Sequence, residues 1–134
     1  MVVFAAGDKT LQPGIAGAVA IALTREADFL QVPKQAEKDS AQFEVDDRGR
    51  IQTYPALARL GSIPIAVIQS THDKYVPSAE SRSLMGPDTA TRRLYQVESS
   101  NHSFGGGRDA MLGDLDTSLQ WIASSLESRD GATK

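Results

Sequence analysis

The chain has 134 residues and a formal net charge of −3, with 40% hydrophobic and 23% charged residues. That describes one soluble, globular domain or part of one, without the basic face that nucleic-acid binding requires. There is no cysteine, which excludes disulfides, thiolate metal sites and a cysteine nucleophile but leaves the compartment open, cytoplasmic or exported.

The opening stretch MVVFAAGDK lacks the basic start and apolar run of a signal peptide. Ile15–Leu23, IAGAVAIAL, is the longest apolar run. It is far short of the roughly 20 residues that span a bilayer, and it reads as a strand of a parallel sheet covered on both faces. It carries no charge, whereas sheet edges are normally blunted by charge, proline or a bulge. A neighbour is therefore expected beside it, either a missing segment or a homodimer partner. Thr24–Arg50 is polar, has no sustained period and contains the turn signal DDRG. A connection this long is read as a functional excursion or a mobile segment.

Tyr54–Leu60 reads as a short helix with Thr53 as its cap and Gly61 as its stop. Ile63–Gln69, IPIAVIQ, is the second strand. Ser78–Met85 is a helix with Ser78 as N-cap, ending at Gly86-Pro87. Arg92–Val97, RRLYQV, is a third strand whose paired arginines suit an edge. From about Asp109 to Leu126, Leu112, Leu115, Leu119, Ile122 and Leu126 recur at helical spacing and predict one apolar stripe, with Trp121 as packing beside it. Strands alternating with helices predict an α/β fold with a mainly parallel sheet in a three-layer αβα arrangement.

Two residues fall where such a sheet places its chemistry. Asp73 follows the end of the second strand in QSTHDKYVP, and His102 follows the end of the third in VESSNHSF. Open parallel sheets bind ligands beyond the carboxyl ends of their strands. A carboxylate facing imidazole Nδ1 fixes the tautomer and frees Nε2 as a base. Taken singly, His102 is an ordinary surface histidine and Asp73 a turn former; the combination argues for chemistry. His72 beside Asp73 has the form of a metal phosphohydrolase pair, but those sites need further ligands that two histidines and no cysteine do not supply. Gly105-Gly106-Gly107-Arg108 invites a phosphate-loop reading. The glycines lie too far beyond Val97 for a tight strand-to-helix turn, and no second strand follows to carry the partner acid. They are expected to compact the His102 loop and let the last helix approach the sheet.

This succession, a strand ending in STHDKYVP, a short helix, a strand, NHSF and a final amphipathic helix, resembles the C-terminal part of the α/β-hydrolase fold over roughly residues 5 to 126. The resemblance implies that the strands are the sixth, seventh and eighth of that fold. Asp73, Val76 and Pro77 match its acid motif and His102 its histidine, followed by Ser103 and Phe104 as in many relatives. Ser70 stands where glycine is usual. No Gly-x-Ser-x-Gly occurs in the chain, so residues 1–134 are expected to be a single, partial domain beginning just after the nucleophile turn. The strand carrying that turn would be the missing neighbour. The implied parent cleaves carboxylic ester bonds with a serine nucleophile, using no metal or cofactor and acting on a small molecule. Residues 24–52 would form a cap or lid, with Phe29, Leu30 and Phe43 lining the pocket. The alternative is a catalytically inactive binding or interaction domain of the same fold.

Overall fold

The computed structural model describes residues 2–28 and 50–131. In chain order these form α1 (Val2–Gly7), β1 (Ala18–Ile21), β2 (Glu26–Asp28), β3 (Arg50–Gln52), α2 (Thr53–Ala56), β4 (Ile65–Ser70), α3 (Ser78–Met85), β5 (Arg92–Val97) and α4 (Arg108–Gly131). Short 3-10 turns occupy Gln12–Gly14 and Leu57–Leu60.

The architecture is α/β, built on a small parallel sheet of order β1-β4-β5. β4 lies in the middle and all six of its residues are buried. Its partners run parallel, with Ala18 opposite Ile65 and Ser70 opposite Val97. Side chains alternate between faces with period two. Ala18, Ala20, Ile65, Val67 and Leu94 join Val3, Ala6, Tyr54, Leu57, Leu60 and Met85 in one apolar cluster, so α1, α2 and α3 pack there. Val19, Ile68, Tyr95 and Val97 turn to the other face and meet Met111 and Leu115 of α4. Packing on both faces explains why the central strand β4 reads as a continuous apolar run, whereas β5, at the sheet's edge, is mixed. The flanks of the polar excursion, β2 and β3, pair as an antiparallel ribbon. Phe29, Leu30 and Phe43 lie outside the described residues.

Local chemistry accounts for the departures from the expected boundaries. The first strand is shortened because Ile15 N–H turns back to Gln12 carbonyl and Ala22 takes a left-handed φ of 54°. Thr53 lies inside α2, and its hydroxyl donates to Thr24 carbonyl, tying α2 to the chain entering the ribbon. Ser78 is the first helical residue of α3, and Pro77 holds the N-cap position. The Ser78 hydroxyl instead accepts from the Gln96 amide of β5. Gly61 and Gly86 end their helical segments at φ values of 57° and 71°.

The stripe on α4 is present but rotated. Ser118 is fully buried against the sheet and Ile122 nearly so. At about 100° per residue, Met111 and Ile122 fall within about 40° of Ser118, while Leu119 and Leu112 point about 100° and 120° away. They point to the flank where Ile122 packs on Gly17, ahead of β1. The opposite flank carries Trp121, under the Arg93 guanidinium at 4.7 Å. Leu112 and Leu119 are consequently 49% and 54% exposed, and Ile21 of β1 is 43% exposed. Two of the five stripe leucines and isoleucines, Leu112 and Leu119, thus turn away from the sheet, and among the described residues no strand pairs with the outer edge of β1.

A charged latch joins α3 to β5. Asp88 accepts from Arg82 Nη1 at 2.7 Å and from Leu94 N–H at 3.2 Å. Burial opposes ionisation, but the Arg82 guanidinium, the Leu94 N–H and the charge of Arg93 prevail and hold the Asp88 carboxyl below the ordinary aspartate value. A lowered folded value contributes stability above the unfolded aspartate value, and that stability is lost as pH falls through the folded one. The thermal midpoint of Asp88→Asn should therefore lie below wild type at neutral pH, and the difference should shrink in acid. A difference independent of pH would contradict this assignment.

Candidate active site

Asp73 is set by its own turn. Its Oδ1 accepts from Tyr75 N–H at 2.8 Å and from Val76 N–H at 3.3 Å. This is an Asx turn, for which aspartate is suited because its short carboxylate reaches the backbone two and three residues on. Val76 is fully buried, so the turn is anchored in the apolar cluster below α3. The Asp73 carboxylate is brought to complete burial at the carboxyl end of β4.

His102 arrives from the end of β5 on a tighter loop. Asn101 Oδ1 accepts from Ser103 N–H at 2.9 Å and Gly105 N–H at 3.1 Å. Ser100 N–H closes the loop on Gly105 carbonyl. Phe104 adopts φ 59°, costly for a residue with a side chain. The cost is offset by its ring, which is 4% exposed and packs on Ile68 and Val97. Gly107, just ahead of α4, has no room for a side chain: a Cβ there would lie 2.6 Å from Glu98 carbonyl oxygen and 2.7 Å from Ser99 Cβ. Gly107 thus allows close approach of the helix start to the end of β5, while the nearest neighbours of a Cβ at Gly105 are Ser100 and Asn101 of its own loop and a Cβ at Gly106 has nothing within 4 Å.

The two loops bring the pair together. His102 Nδ1 and Asp73 Oδ2 are 2.7 Å apart, with the imidazole 31% exposed. A carboxylate accepts and does not donate, so the hydrogen sits on Nδ1. Nε2 has no hydrogen-bond partner among the described residues. Tyr75, 54% exposed, packs edge-on to the imidazole with ring centres 4.9 Å apart. Ser70, where glycine was the expected residue, knits the two strand ends: its hydroxyl accepts from Ser99 Oγ at 2.7 Å and from His72 N–H at 3.2 Å.

His72 points elsewhere. Its Nδ1 donates to Ser99 carbonyl at 3.0 Å and lies 3.4 Å from Glu98. It lines a cavity of about 370 Å³ with Glu98, Ser99, Ser100, Gly105 and Gly106, which includes neither Asp73 nor His102. Among the described residues no three His, Asp or Glu side chains converge as metal ligands. No helix among them is long and apolar enough to cross a membrane.

Three residues around the pair were given no role by the sequence reading. Tyr75 and Phe104 owe their places to the turns. Gln69 is the one with a sequence signal, a polar residue closing the apolar run IPIAVIQ. It is fully buried, and its Nε2 donates to Asp73 Oδ2 at 2.7 Å. Compared with known proteins, the chain matches no family model, no curated protein and no solved structure.

Proposed function

We propose that the chain is the C-terminal part of an α/β-hydrolase, a three-layer αβα domain, and that Asp73 and His102 are the acid and histidine of a serine-dependent ester hydrolase. The observation that carries this reading is the 2.7 Å contact between Nδ1 and a fully buried carboxylate. The two groups leave neighbouring parallel strands at their carboxyl ends. That geometry makes Nε2 a base and gives the imidazolium a fixed counter-charge.

In the parent reaction the serine Oγ bonds to the ester carbonyl carbon as its proton passes to His102 Nε2. The proton then goes to the departing alkoxide as the C–O bond breaks. Water repeats the sequence on the acyl-enzyme, its proton passing through the same nitrogen and back to serine. Asp73 keeps the imidazole oriented throughout. The nucleophile and its oxyanion donors would come from outside residues 1–134, and without them this chain alone should not turn over ester at an enzymatic rate.

Among the described residues no strand pairs with the outer edge of β1, which supports the same reading. A strand beside it would satisfy the free edge, and a helix lying along α4 would cover Leu112 and Leu119. The second reading is a non-catalytic interaction module, favoured by that same apolar flank, with a second copy or another protein seated on it. The reading frame upstream of Met1 separates the two. The hydrolase account expects Gly-x-[Ser/Asp/Cys]-x-Gly encoded within about a dozen residues, one or two helical turns plus a short link. Its absence there would rule out a nucleophile supplied by the preceding strand.

A further inference from the structure

We propose that Gln69 is a positioning residue that holds the Asp73 carboxylate for His102, a role that rests on the hydrolase reading. Gln69 is on β4, the central strand, and is 0% exposed. A glutamine there is expensive, because a buried amide must find partners for both of its ends. One end does: Nε2 donates to Asp73 Oδ2 at 2.7 Å. That contact fixes the orientation of the amide, since a flipped Gln69 would face its oxygen to the carboxylate. The other end does not: Oε1 is buried with no partner among the described residues. An aliphatic side chain would fill the position without that penalty. Fold stability therefore gives no reason for glutamine here, while the carboxylate does.

The donor pattern on Asp73 shows what Gln69 supplies. Oδ1 takes two N–H groups from the Asp73 turn itself, those of Tyr75 and Val76. Oδ2 takes His102 Nδ1 and Gln69 Nε2, both at 2.7 Å. Two donors per oxygen fix the plane of the carboxylate. Without Gln69 the carboxylate would be held only by its own turn and by the imidazole it is meant to orient. Gln69 is the tie to the rigid strand. It keeps Oδ2 aimed at Nδ1.

The test is spectroscopic and needs no nucleophile. In the full chain, the His102 Nδ1–H proton is followed by NMR in wild type and in Gln69→Met, which keeps the volume and removes the donor. Exchange of that proton with solvent should become about tenfold faster, equivalent to about 1.4 kcal/mol of easier opening. Backbone amide shifts away from the site should be unchanged. An unchanged exchange rate in folded Gln69→Met would overturn the proposal. Should that variant fail to fold, the wild-type side-chain amide of Gln69 decides: one downfield, protected proton supports the tie, and two protons exchanging like an exposed glutamine refute it. A failure to find a nucleophile upstream would remove the hydrolase reading and leave this result standing, so the two failures are distinguishable.

Discussion

Asp73→Ala is expected to destabilise the fold by about 3 kcal/mol or more, since each buried donor left unpaired costs about 1–3 kcal/mol. Two of the donors it abandons are buried: the Gln69 amide and the Val76 N–H. Tyr75 and His102 are more open and can turn to water. A loss of this size is a large share of the roughly 5–15 kcal/mol that holds a typical domain together. Urea unfolding of the two proteins measures it directly. Asp73→Asn should fall between them, because its oxygen still satisfies part of the set while its NH2 faces a donor. A change below about 1 kcal/mol for the alanine variant would mean that the carboxylate does not organise its turn.

The second large effect is expected from Gly107→Ala. The added methyl would meet backbone, Glu98 carbonyl at 2.6 Å, as well as Ser99 Cβ and Val97 Cγ1. Backbone yields less readily than a side-chain end, so either α4 lifts from the sheet or the end of β5 shifts. Forcing a methyl into such a contact costs about 1–3 kcal/mol. The displacement also reaches the Asp73–His102 pair, because the same loop carries His102 and is closed by Ser100 on Gly105. Unfolding should therefore show a lower midpoint, and the His102 ring resonances should move. Gly113, mid-helix with nothing within 4 Å of an added Cβ, is the control: Gly113→Ala should be neutral or stabilising.

β1 and β4 were legible as apolar runs because packing on both faces leaves little choice of residue there, and β5 because it is short and bounded by turn residues. β5 falls on Arg92–Val97 as read from the sequence, and β4 is displaced by only a residue or two at its ends. The pairing of Asp73 with His102 was legible for a related reason: neighbouring parallel strands end at one rim, so the residues just past their ends meet. Caps were less legible. Ser78 and Thr53 have the side chains of capping residues, but each has a tertiary partner, Gln96 and Thr24. The leucine period located α4 but not its rotation, because period reports only that a helix has an apolar side. Which way that side turns depends on what lies next to it, and here Leu112 and Leu119 turn away from the sheet. Gln69 was read as the last residue of a strand; its role emerges only when the side chain of Asp73 is placed beside it.

The central claim is that His102 is the base of a serine hydrolase whose nucleophile lies outside residues 1–134. A fluorophosphonate probe applied to the product of the extended reading frame tests it most directly, since covalent labelling requires an activated serine. The account predicts one labelled serine, on a peptide preceding Met1, with labelling lost in His102→Gln. Absence of labelling in the folded product, or labelling that survives His102→Gln undiminished, would contradict it.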